Sequence, residues 1–131
     1  IMLGIDYKYD NQNNKNKVWT HCGTKKTDIE PFELSQIYND LNVGEIMLNS
    51  IDRDGMMTGY DIELTEKVSK AIEIPIILCG GAGNFSHLVD AFNKTEVAAV
   101  ACASLFHFGD NSPMRARSYL KNKGIKMRSV K

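Results

Sequence analysis

Two carboxylates and one glycine-rich turn carry most of the chemistry that this sequence offers. Asp6 closes an apolar run, and Asp54 lies in the stretch Asn49-Ser50-Ile51-Asp52-Arg53-Asp54-Gly55 that follows another. Carboxylates at neighbouring strand ends can divide acid and base roles if burial and mutual repulsion hold one pKa up and the other down, and proton transfer is their natural use. A structural use competes: Asp52 and Asp54 can brace Arg53 or cap the following turn. The second chemistry lies in Cys79-Gly80-Gly81-Ala82-Gly83. These glycines bare backbone N–H groups just before a helix expected from Asn84, where amides and helix dipole favour an anion such as phosphate. A plain tight turn has the same spelling. Ala103-Ser104 ends the next run, where the Ser104 hydroxyl and amide can add to the same anion site, so two adjacent ends suit a phosphate together.

Other side chains carry less. Cys79 beside its glycines can act as a nucleophile or line a pocket, but no histidine is placed by the sequence to activate it. His21, His87 and His107 lack the i, i+4 or carboxylate spacing of a metal site and are expected in loops or at the surface, so neither a metal nor another cofactor is expected. Trp19, Tyr7 and Tyr9 are expected to pack a local excursion of the chain. Three cysteines at long spacings make neither a disulfide framework nor a zinc knuckle, which points to a reducing, cytoplasmic setting. Sixteen basic residues balance sixteen acidic ones, so no global positive field steers the chain to nucleic acid or anionic lipid. Residues 111–131 hold seven basic residues and no acidic one, a solvated helix face or a docking patch for an acidic partner. No apolar run approaches the roughly 20 residues that cross a bilayer, and no membrane role is expected.

These groups need a scaffold that brings strand ends together. Apolar runs at residues 2–6, 45–51, 75–79 and 97–104 alternate with amphipathic stretches, the pattern of βα units on a parallel sheet. Leu34, Ile37, Tyr38 and Leu41 share one helical face, as do Phe85, Leu88, Val89 and Phe92. A further helix carries Leu64, Val68, Ala71 and Ile72, and a last one opens at Ser112-Pro113 and stops at Gly124. Between residues 7 and 27 the chain makes a polar excursion, a hairpin or a loose loop, before a capping-box spelling at Thr27-Asp28-Ile29-Glu30. The expected fold is therefore one α/β domain over residues 1–131, the (β/α)4 half of a TIM (β/α)8 barrel, because eight units need about 250 residues. Such a half exposes parallel edges and an apolar face, and is expected to meet a missing half or to assemble as a homo-oligomer. Ile1 already lies in a strand-like run, so the sequence is expected to be a piece of a longer protein.

The combination Gly4-Ile5-Asp6-Tyr7-Lys8, Gly44-Glu45-Ile46 leading to Ser50-Ile51-Asp52-Arg53-Asp54-Gly55, Gly59-Tyr60-Asp61, residues 75–83 and Ala103-Ser104-Leu105-Phe106-His107-Phe108 resembles the C-terminal half of the HisF family. That family comprises the cyclase subunits of imidazole glycerol phosphate synthase. The resemblance spans nearly all 131 residues. It implies a barrel of two similar halves, each with a phosphate site and a catalytic aspartate. It also implies a lyase of the glutamine amidotransferase type that receives ammonia from a glutaminase subunit. The reaction cleaves and cyclises a phosphorylated ribulosyl-formimino aminoimidazole carboxamide ribotide to imidazole glycerol phosphate and aminoimidazole carboxamide ribotide. By position, Asp6 matches the catalytic aspartate of this half and Asp54 a substrate contact. Gly81, Ala103 and Ser104, with Gly80 beside them, match phosphate-binding positions, and Glu45 matches one member of the charged ring through which ammonia enters.

The departures point elsewhere in part. Nothing in the 131 residues matches the N-terminal half, so this chain alone lacks the other catalytic aspartate and the second phosphate site. Asn49 stands where threonine is usual and Cys79 where serine is commoner, and both touch the substrate site. Such changes also resemble relatives that partner an amidotransferase in amidino-sugar synthesis for bacterial surface polysaccharides. A third reading is a non-catalytic, self-associating half-barrel that binds phosphate.

Overall fold

The computed structural model describes residues 1–128, so Lys131, the last cation of the basic tail, lies outside the described residues. In chain order the elements are β1 (Met2–Asp10), β2 (Lys15–Thr20), β3 (Lys25–Lys26), α1 (Pro31–Asp40), β4 (Glu45–Ser50), α2 (Ile62–Ser69), β5 (Ile76–Cys79), α3 (Phe85–Lys94), β6 (Ala99–Val100), α4 (Ser104–His107) and α5 (Pro113–Asn122). They form one sheet ordered β3-β2-β1-β4-β5-β6, in which β1, β4, β5 and β6 are parallel neighbours. Each parallel strand lies beside the one before it, the order of a (β/α)8 barrel, whereas a doubly wound sheet reverses direction midway. The architecture is that of part of a TIM barrel.

Strand alternation sorts the residues between two faces. Ile5, Leu48 and Leu78 share one register row and are all fully buried. With Ile46 and Ile76 they pack against Val68 of α2, Leu88 and Ala91 of α3, and Ala116 and Leu120 of α5. Full burial of such a side chain is worth about 1.5–3 kcal/mol, so this helix-facing layer dominates stability. The opposite face carries Gly4, Met47, Ile77 and Ala99 in one row, then Asp6, Asn49 and Cys79 in the next. None of these seven is buried.

Several elements depart from the expected bounds. β1 continues to Asp10, and its last four residues pair antiparallel with β2. The ribbon is fastened at its tip by Asp10, which accepts from Asn13 Nδ2 at 2.7 Å, Lys26 Nζ at 3.0 Å and Gln12 N at 3.2 Å. The Asn13 amide, then the Lys26 ammonium, hold the Asp10 carboxyl below the usual carboxylate range. Tyr7 belongs to the main core rather than to the excursion: it is 1% exposed and donates its hydroxyl to Asp61 Oδ2. The capping box at Thr27 does not form. Thr27 instead donates to Val18 O and accepts from Ile29 N, while Glu30 pairs with Lys15 at 2.6 Å and Pro31 begins α1. The cap position falls on Glu30, three residues later, and its carboxylate is turned to Lys15 instead of to the first turn of the helix.

The face of α1 is also rotated from its sequence pattern. Pro31 and Ser35 are its buried residues, Leu34 and Tyr38 are half-buried, and Ile37 and Leu41 are 44% and 68% exposed. Ser35 donates to Pro31 O at 2.7 Å, so a small polar residue is satisfied within the helix where it approaches the sheet. Ala71 lies beyond the end of α2 and is exposed. Strand β6 is two residues rather than the expected eight, because the chain turns at Ala103 (φ −117°, ψ −70°) and Ser104 opens α4 instead of ending a strand. Helix α5 has the expected signals: Ser112 caps Arg115 N, Pro113 is its first residue, and Gly124 follows with φ +80°.

Candidate functional site

At the carboxyl ends of the strands, Asn49 Nδ2 donates to Asp6 Oδ1 at 2.9 Å. The two residues are direct register partners on β1 and β4, so the pleat aims both into the uncovered face. Asn49 Oδ1 is buried and has no partner among the described residues, an acceptor left open beside the carboxylate. Cys79 is the next residue in this row. It also lines a cavity of about 130 Å³ together with Asp54, Gly80, Gly81, Ala103 and Ser104. Burial, then the Asp54 carboxylate, push the Cys79 thiol above its ordinary value, so it is a protonated pocket wall rather than a nucleophile. The N–H groups of Gly81, Ala103 and Ser104 make no backbone hydrogen bond among the described residues. Orphaned amides from two loops around a small cavity can cradle an oxyanion.

The glycines have a second reason that the sequence alone did not show. Gly80 and Gly81 sit at φ +87° and +115°. A Cβ on Gly80 would stand 2.6 Å from Ser50 O, one on Gly81 would strike Gly59 O, and one on Gly83 would strike Met57 O. Bare backbone is needed here because the 51–61 loop lies directly on the 80–83 turn, and Gly59 N donates to Gly81 O at 2.7 Å. His87 holds the same turn from the other side, its Nδ1 accepting Gly83 N–H at 3.1 Å and its Nε2 lying 3.2 Å from Asn84 Nδ2. Sequence spacing marked His87 only as a loop or surface residue; its place one turn inside α3, four residues after Gly83, was the available signal. His21 and His107 are exposed.

The remaining sequence candidates are spread more widely. Asp52 accepts Tyr9 N–H at 2.8 Å and so anchors the ribbon, not Arg53, whose Nη1 donates to Gly59 O at 3.3 Å. Glu45 pairs in register with Met2 at the far end of the sheet, exposed, and does not join the cavity. A larger cavity of about 500 Å³ lies between the ribbon and the start of α2, lined by Tyr9, Lys15, Glu30, Asp52, Asp61 and Lys67 among others. Lys15 is paired with Glu30 and Lys67 lies over the Phe32 ring at 4.4 Å, and none of Asp6, Asn49, Asp54, Gly81 and Ser104 lines it.

The family profile described as "Histidine biosynthesis protein" matches residues 1–112, from β1 to the cap of α5. The chain is 44% identical over 128 residues to the imidazole glycerol phosphate synthase subunit HisF of Bacillus subtilis (strain 168), covering 98% of this chain and 51% of that one. The HisF subunits of Geobacillus kaustophilus and Chlorobium limicola are each 41% identical over the same 98% of this chain and 51% and 50% of theirs. The chain spans about half the length of the curated relatives it matches. With 112 of 131 residues matched, the chain belongs to the histidine biosynthesis protein family.

Proposed function

We propose that this chain supplies one half of an ammonia-dependent cyclase that makes imidazole glycerol phosphate, with Asp6 as its acid–base group. The observation that carries the reading is the Asp6 carboxylate, held at 2.9 Å by the Asn49 amide, on the same face as a cavity ringed by unpaired amides. When ammonia adds to the formimino carbon, the new nitrogen must shed a proton, and the departing aminoimidazole nitrogen must gain one. A carboxylate in reach of both can take the first and return the second, work worth typically 10²–10⁴ in rate. Gly81, Ala103 and Ser104 hold a terminal phosphate, Gly80 lets the turn approach, and Asn49 and Asp54 contact the substrate between phosphate and carboxylate. Glu45, at the opposite end, faces the glutaminase subunit that delivers ammonia.

The uncovered face of Gly4, Met47, Ile77 and Ala99 is closed in the working protein by a second set of βα units. Among the described residues no helix is long and apolar enough to cross a membrane, and the three free thiols suit a reducing cytoplasm.

The test is ammonia-dependent consumption of the ribotide by the complete barrel. Asp6→Asn should lower kcat at least about 100-fold with KM within about threefold. A complete barrel that leaves the ribotide untouched, both with ammonium and with a glutaminase, defeats the proposal, and transfer of ammonia to a sugar acceptor instead would assign it to the polysaccharide relatives.

A further inference from the structure

The segment Gly59-Tyr60-Asp61, between β4 and α2, reaches the end of every other parallel strand. Gly59 N donates to Gly81 O at 2.7 Å, past the end of β5. Tyr60, 4% exposed, donates its hydroxyl to Ala101 O at 2.9 Å, just beyond β6, and its oxygen lies 3.2 Å from Cys102 Sγ. Asp61 Oδ2 accepts the Tyr7 hydroxyl of β1 at 3.1 Å, while Oδ1 accepts Leu64 N and caps α2. Three consecutive residues thereby tie one loop to three neighbours.

The 101–104 segment has few other restraints. Ala101 N donates to Leu78 O at 2.8 Å and Leu105 is fully buried, but α4 has no side-chain cap and the amides of Ala103 and Ser104 take no backbone partner. A carbonyl can only accept, so the single phenolic proton goes to Ala101 O and the Cys102 thiol donates to the phenol oxygen. Burial raises both the Tyr60 phenol and the Cys102 thiol above their ordinary values, which keeps both groups protonated and able to donate. Two hydrogen bonds therefore meet at one buried oxygen and hold the two residues that precede Ala103.

We infer that Tyr60 is a positioning residue: its hydroxyl holds the 101–104 segment where the Ala103 and Ser104 amides share one anion with Gly81, and Gly59 and Asp61 fix the tie at its ends. The anion part rests on reading the cavity as a phosphate site.

The test uses the ¹⁵N-labelled 131-residue chain, titrated with inorganic phosphate. Tyr60→Phe keeps the ring and its packing and removes only the hydroxyl. Before any phosphate is added, the amide resonances of Cys102, Ala103 and Ser104 should shift and exchange faster with solvent, while those of β1 stay in place. The phosphate Kd should then rise about three- to tenfold, the loss of one hydrogen bond. Tyr7→Phe, which cuts the tie to β1 and leaves those of Gly59 and Tyr60 in place, should leave that Kd within about twofold. Cys102→Ala, which removes the second bond at the phenol oxygen, should move the Ala103 and Ser104 resonances less far in the same direction and serves if Tyr60→Phe does not fold. Unmoved 102–104 resonances in these variants, or a Tyr60→Phe Kd equal to wild type, overturn the inference. A wild-type chain that takes up no phosphate defeats the phosphate reading and the anion part with it, and the amide resonances still decide the positioning.

Discussion

Gly81→Ala should be more damaging than Gly55→Ala, although both glycines have positive φ. At Gly55 (φ +76°) no heavy atom lies within 4 Å of an added Cβ, so the cost is the left-handed backbone alone, about 1–2 kcal/mol. At Gly81 (φ +115°) the added carbon would strike Gly59 O. The strained backbone costs about 1–3 kcal/mol there. Separation of the two loops adds the loss of the 2.7 Å bond from Gly59 N, a further 0.5–1.5 kcal/mol or so. The sum is about 1.5–4.5 kcal/mol. With a urea dependence near 1.5 kcal/mol per molar, the unfolding midpoint should fall by about 1–3 M for Gly81→Ala and about 0.7–1.3 M for Gly55→Ala. Urea titrations of the chain followed by circular dichroism measure both. Equal shifts, or a larger one for Gly55→Ala, would show that loop-on-loop contact is not what demands glycine at position 81.

Leu48, fully buried at the centre of the sheet, should cost about 2–5 kcal/mol on truncation to alanine, and a loss below 1 kcal/mol or so in the same urea assay would remove it from the core. Asp10 sets an acid limit. Its carboxyl is depressed from the ordinary 3.8, so the ionised form stabilises the ribbon above that pH, and the contribution fades as pH falls further through the folded value. Urea midpoints from pH 6 to 2.5 should therefore drop more steeply for wild type than for Asp10→Asn, and parallel curves would refute the assignment. Thiol labelling with a disulfide reagent should show one fast and two slow groups, exposed Cys22 first and Cys79 and Cys102 later, because burial raises the latter two thiols. Three equal rates would contradict that burial.

The architecture was legible wherever the local chemistry had one reading. Helix α5 is bounded by Ser112-Pro113 and Gly124 because a cap, a fixed φ and a left-handed residue each act within one turn. Helix α3 follows from Phe85, Leu88, Val89 and Phe92, whose spacing leaves a single apolar stripe. In α1 several stripes were possible, and the short side chain of Ser35, invisible to a hydrophobicity pattern, won the place against the sheet. The alanine-rich run at 98–103 carries no β-branched residue besides Val100, so nothing local separates strand from turn, and tertiary packing ends β6 early. The βα pattern was enough to bring Asp54, Gly81 and Ser104 to one cavity, although β6 ends before Ser104 and β1 runs on past Asp6. The contact that makes Gly81 necessary comes from Gly59, 22 positions back, and a separation of that length leaves no periodic trace.

Strand β1 changes partners at Tyr7, which pairs with both: residues 2–7 run parallel to β4, and residues 7–10 run antiparallel to β2. Trp19, the sole tryptophan, lies on that appended ribbon. Its emission is therefore a gauge of ribbon fraying, whereas the far-ultraviolet dichroism of the helices gauges the barrel half. Melting curves recorded by the two signals would superpose only if the ribbon and the helical layer come apart together, and any gap between the midpoints is a direct reading of how loosely this appendage is geared to the strand that bears the carboxylate.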